Sequence, residues 1–244
     1  DPAVTGWFIS FDLKNGIGKH PMSEKIVDLE FSQKYDREHA ERYLRKHQAG
    51  LSRKLSHWRD VQVARQALKL AGQPNLVLDL PCGAGRFWPM LAEKENRVII
   101  GADNSPDMIA VACAGQPEEV VKRVRPLQTS AFAIDLPDNA VDSIFSMRLM
   151  HHIGDVNDRR TMLREFHRVT RDTVILSMWV DGNFKSWKRK RAEASRKKHD
   201  YQNRFVIPAK TIEAEFRQAG FKVQDHIDFV PFIHMWRVYI LRKE

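Results

Sequence analysis

Cysteine is scarce in this chain. Only Cys82 and Cys113 occur, too few for a disulfide framework and without the CxxC spacing of a structural zinc site. This usage fits a reducing cytoplasm, where the protein is expected to reside. Long apolar runs are also missing. None approaches the ~20 residues that a membrane-spanning helix requires, so a soluble protein is expected. The first residues carry Trp7, Phe8 and Phe11 but no basic start leading into an apolar core, so they do not read as a secretory signal. Met22 is a candidate start, so residues 1–22 read as a tag or flexible tail. No GK[ST] follows any glycine-rich turn, which excludes a P-loop, and no internal repeat is present.

Excess charge is confined. The formal net charge is +9, and residues 185–198 hold eight Lys/Arg against Glu193 alone, leaving the remainder nearly balanced. An anionic partner is therefore sought at this one segment. The length of 244 residues suits a single domain, since domains hold roughly 100–200 residues. Residues 23–72 read as a helical extension. Val61, Ala64 and Leu68 follow the spacing of a buried helical stripe, and Gly72-Gln73-Pro74 ends it.

From Asn75 onward, strands and helices alternate, implying a parallel sheet. Strands are expected at 75–80, 98–102, 141–147 and 173–180, with one helix carrying Phe87, Met90 and Leu91 on one face, one after Pro106 and one over 158–168. A polar, basic insertion then spans 181–206. Ile207-Pro208 opens a helix that Gly220 closes, and the strands 221–227 and 236–241 are close enough to form an antiparallel hairpin.

Asp79-Leu-Pro-Cys-Gly-Ala-Gly85 puts a carboxylate and two glycines where the first strand turns, the edge at which α/β sheets bind nucleotides. A dinucleotide enzyme needs a third glycine three residues after Gly85, where this chain has Trp88, so NAD is disfavoured. Asp103 ends the second strand, at an offset suited to ribose hydroxyls.

The segment 77–153 resembles the class I methyltransferase family, particularly the small-molecule branch related to quinone-biosynthesis enzymes. Four motifs carry the resemblance: the glycine turn, Gly101-Ala-Asp-Asn-Ser-Pro-Asp-Met108, Ile134-Asp-Leu-Pro-Asp-Asn-Ala-Val-Asp142 and Leu149-Met-His-His-Ile153. It implies an α/β, doubly wound, Rossmann-like seven-stranded sheet over 76–241 whose last strand is antiparallel. It also implies S-adenosylmethionine as cofactor, S-adenosylhomocysteine as product, and no metal. Asp79, Gly83 and Gly85 would lie along the methionine part, Asp103 and its neighbour Asn104 at the ribose, Met108 on the adenine, and Met147 at the sheet edge. Two positions depart from the family. Pro81 replaces its first glycine, and Ser130, beside Ala131, replaces the acidic residue that meets the adenine amine; one serine hydrogen bond would weaken that contact without abolishing it.

Methyl transfer from a sulfonium is a direct displacement, so alignment and water exclusion matter more than a covalent residue. His151 and His152 stand where a general base for a hydroxyl or carbon acid is expected and one of them is a candidate for it, although a turn-stabilising or core role for both is the more ordinary reading. Ser146-Met-Arg-Leu149 lacks the Asn/Asp-Pro-Pro-Tyr/Phe pattern of amide and base-amine methyltransferases. Trp187, Tyr201 and Phe205 within and beside the basic run form a candidate cap over a small anionic acceptor, phosphorylated or lipid-linked. The same run fits a peripheral membrane contact. An RNA methyltransferase, gripping phosphates there, is the second reading, and a non-catalytic binding module the third.

Overall fold

A computed structural model describes residues 51–194 and 204–244. The expected tail 1–22, the first part of the helical extension, and the stretch of the basic segment holding Arg196, Lys197, Lys198 and Tyr201 lie outside the described residues. Helix α1 spans Leu51–Leu70. Its inward stripe is Asp60, Val63, Ala64, Ala67 and Leu68, continued by Ala71, so the expected Ala64 and Leu68 are core and Val61 stands at the margin. Gly72 takes φ 79° just past the helix end, the left-handed turn that glycine permits.

The strands are β1 (Leu76–Asp79), β2 (Val98–Asp103), β3 (Val124–Gln128), β4 (Val141–Ser146), β5 (Thr170–Trp179), β6 (Phe221–Asp228) and β7 (Trp236–Lys243), joined in one sheet in the order β3-β2-β1-β4-β5-β7-β6. β1 through β5 pair in parallel, whereas β7 runs antiparallel between β5 and β6. The hairpin and the antiparallel last strand follow the sequence reading. β3 does not, because Val-Arg-Pro-Leu-Gln has neither alternation nor an apolar run. It forms at the sheet margin, where a proline costs no interior ladder bond.

Alternating residues send Val77, Ile99, Phe145, Ile175 and Ile240 to one face, where they pack with α1, α2 (Trp88–Leu91) and α3 (Pro106–Gly115). Leu78, Ile144, Val174, Leu176 and Tyr239 point the other way, against α5 (Val156–Val169) and α7 (Ala209–Gln218); a short α4 (Glu118–Val121) precedes β3. Both faces are covered, so the strands read as apolar runs. The basic insertion contains α6 (Phe184–Ala194), started by Asn183, whose Oδ1 accepts from Ser186 N at 3.0 Å while its own N donates to Ser186 Oγ.

Candidate active site

The C-terminal ends of β1, β2 and β4 bound a cleft enclosing about 1050 Å³ including its open mouth. Its floor is the turn after β1. Cys82 N donates to Ala102 O at 2.7 Å and Leu80 N to Phe145 O at 3.0 Å, so the turn is stitched to the sheet on both sides. Gly83 and Gly85 adopt φ 53° and 68°, and a Cβ on Gly85 would lie 2.9 Å from the Trp88 ring. Glycine is required there by conformation and by space. The Leu80–Pro81 peptide is cis, and Pro81 lines the cleft. Trp88, where a dinucleotide fold has its third glycine, is wholly buried and lies over Gly101 of β2, whose added Cβ would come within 2.5 Å of it.

Asp103 closes the turn. Its Oδ2 accepts from Gly83 N at 3.0 Å and its Oδ1 from Ser105 N at 3.0 Å. Burial raises its pKa, and the Ser105 and Gly83 N–H groups oppose the rise. Ser105 also caps α3, accepting from Met108 N at 3.3 Å, which fixes Met108 on the cleft wall. Asn104, Ser130, Ala131 and Met147 line the same cleft. The Ser130 hydroxyl accepts from Phe132 N at 3.2 Å, leaving it one further lone pair.

Asp79 is buried directly beneath the turn, and neither carboxylate oxygen has a hydrogen-bond partner. Burial drives its pKa well up; the nearby Trp88 indole N–H opposes the rise without reaching hydrogen-bonding geometry. A buried carboxylate without a donor is costly. Asp79 stands one residue behind Leu80, where the cleft lining begins, and does not itself line the cleft. The glycine turn and the Asp103 carboxylate on the cleft, with the buried acid behind them, fit S-adenosylmethionine. Among the described residues no cluster of three or more metal-ligating side chains occurs.

The structure separates the paired histidines. His152 lines the cleft. His151 does not: it is boxed by Trp179 at 4.9 Å and Trp236 at 4.7 Å, its Nδ1 is unpaired, and burial lowers its pKa to about 2. The pair is held by α5, where Arg159 donates to the carbonyls of Ile153 and Gly154 and forms a buried bidentate pair with Glu215 of α7. Phe205, expected to cap the acceptor, instead packs on Gly154 and donates its N–H to His151 O at 2.7 Å.

Sequence reasoning missed Asp60. From α1 its Oδ2 accepts from Arg86 Nη2 at 2.5 Å and also from Arg148 Nη2, placing two guanidinium groups on the cleft wall. Arg148 holds a left-handed φ of 66°, anchored by its N–H on Ser177 Oγ at 2.7 Å, and its guanidinium lies over Trp236. Such a conformation is strained for a long side chain. Arg86 Nη1 is buried without a partner. No local pattern announces a carboxylate 26 residues before its arginine partner.

Strand order, with β7 antiparallel between β5 and β6, and a cleft at the carboxyl edge give the Rossmann-like α/β fold that class I methyltransferases share. In keeping with this, residues 77–173 match the family model of a methyltransferase domain. A tRNA U34 carboxymethyltransferase of Shewanella frigidimarina is 32% identical over 114 residues, 44% of this chain and 32% of the relative. An uncharacterized methyltransferase of Bacillus subtilis, YcgJ, is 35% identical over 97 residues, 38% of this chain and 35% of the relative. The chain thus spans about a third of the length of the curated relatives it matches. Among solved structures, magnesium protoporphyrin IX methyltransferase from Synechocystis with bound S-adenosylhomocysteine superposes with a TM-score of 0.65 at 14% identity, covering 80% of this chain and 89% of that one. A [4+2]-cyclase, SpnF, shares the fold at TM-score 0.57 and 16% identity, over 75% of this chain and 82% of its own. The fold is common ground and does not fix the reaction.

Proposed function

We propose that this protein is an S-adenosylmethionine-dependent methyltransferase acting on a small anionic acceptor. The observation that carries the reading is the glycine turn closed by Asp103 above the unpaired, buried Asp79. Asp79 would hold the amino group of the methionine part, Asp103 the ribose, and Met108 and Ser130 the adenine. The cofactor supplies an electrophilic methyl group. The chain's own work is to orient the acceptor and exclude water: Phe87, Phe132 and Leu149 line the cleft with apolar surface, while Arg86 and Arg148 offer guanidinium groups to a carboxylate or phosphate. His152, in place of His151, is the residue suited to take a proton from the acceptor. The small-molecule branch of the family remains the preferred setting.

Calorimetric titration with S-adenosylhomocysteine tests this. Binding is expected, with NADH giving no heat. Asp103→Ala should weaken it by roughly 10- to 100-fold, since a hydrogen bond to a charged group contributes about 1.5–3 kcal/mol. Undiminished binding in that variant would overturn the site. A second reading, RNA as acceptor, is favoured by the tRNA-modifying relatives and the basic α6. Incubation with labelled S-adenosylmethionine and either bulk tRNA or a small-molecule extract separates the two by where the label goes.

A further inference from the structure

Two segments remote in the chain meet on the surface away from the cofactor floor. The β6–β7 loop presents Val230, Pro231, Phe232 and Ile233, all exposed, with Phe232 at 88%. The loop is braced, since His234 N donates to Val230 O at 2.9 Å and Ile233 N to Pro231 O at 2.8 Å. It is also tied to the start of α6, where Phe184 N donates to Phe232 O at 3.0 Å and Lys185 N to Ile233 O at 3.1 Å. Phe184 and Trp187, each more than half exposed, stack at 6.0 Å and extend the apolar surface. Lys185, Lys188 and Arg191 of α6 are exposed beside it, with Arg191 over the Trp187 ring.

We propose that the loop 230–233 and the exposed stripe of α6 form a docking surface for an anionic lipid bilayer. Four consecutive apolar side chains held outward by backbone bonds have no reason to face water, and a patch of this kind marks an interaction site. Its chemistry is that of an interfacial insertion: aliphatic and phenyl groups at a tip, an indole behind them, and cations set back at the level of lipid phosphates. Nucleic acid would use the cations and the rings, but Val230 and Ile233 offer a base nothing to stack on. The loop leads through His234 and Met235 to Trp236, over which the cleft-lining Arg148 lies. The inference needs neither the methyl transfer nor the acceptor to be as proposed above.

The test is co-sedimentation of the full chain with vesicles of phosphatidylcholine alone or mixed with phosphatidylglycerol, at low and high salt. The chain should pellet with the anionic vesicles and be released by salt. Phe232→Ser/Ile233→Ser should lower the partition coefficient by about tenfold or more, because two apolar side chains no longer leave water. Lys185→Gln/Lys188→Gln/Arg191→Gln should lower it roughly a hundredfold and remove most of the salt dependence. Thermal unfolding midpoints equal to that of the parent chain show that the variants are folded. The proposal is overturned if the parent chain stays in the supernatant, if the loop variant pellets like the parent, or if bulk tRNA displaces the chain from vesicles and its own binding is lost in Trp187→Ala, which assigns the surface to RNA.

Discussion

His151 and His152 adjoin in the chain with rings 4.1 Å apart, yet His151 is buried whereas His152 is half-buried and lines the cleft. A ring between Trp179 and Trp236 cannot hydrate a charge, so His151 stays neutral across the working range. The linkage follows from the sign of the shift. The unfolded imidazole takes a proton near its ordinary value of 6.5 and the folded one only near 2, so stability is full above 6.5 and falls as pH drops below it. At about pH 5 the loss amounts to roughly 2 kcal/mol. His151→Phe is expected to remove this part of the acid sensitivity in denaturant melts at the two pH values, and to leave turnover unchanged. His152→Ala should keep S-adenosylhomocysteine binding and reduce turnover. The dipeptide was legible as a landmark at the sheet edge. Which ring faces the cleft depends on the 3-10 turn Met150–His152 and the Arg159 clamp, neither of which has a local signature.

At the scale of elements, the turn after β1 is shaped by what packs behind it. Trp88 occupies the room over Gly101 and Gly85 that a dinucleotide fold leaves to a close-lying helix, and only one helical turn, Trp88–Leu91, follows. Gly101→Ala should therefore destabilise the domain by about 1–3 kcal/mol through overpacking. In a Trp88→Leu background the same change should cost much less; additive urea-melt values would refute the contact. The motif Gly101-Ala-Asp103 was visible in the sequence, but its first residue was not recognised as a packing partner of Trp88, because the two meet only when β2 lies beside β1. The insertion divides likewise. Its helical start carries a local signal in the Asn183–Ser186 cap, whereas its docking on the β6–β7 loop is a tertiary event.

Across the whole molecule, the central strands β1, β4, β5 and β7 are buried between two helical layers, and β3 and β6 stand at the margins. Hydrogen exchange should accordingly be slowest in β4 and β5 and faster in β3, β6 and α6. Adding S-adenosylhomocysteine should protect 79–86, 103–108 and 129–132; protection elsewhere alone would refute the cleft as the cofactor site. The sequence by itself determined the parallel order of elements, the terminal hairpin and the acid-and-glycine turn, because period, turn chemistry and spacing act over short stretches of chain. The tertiary structure alone decided that β3 exists as a marginal strand, that Asp60 of α1 gathers Arg86 and Arg148 onto one wall, and that His151 is sealed while His152 is not. Those outcomes depend on burial and on charges brought together across dozens of residues, and both arise only when the sheet closes its two faces.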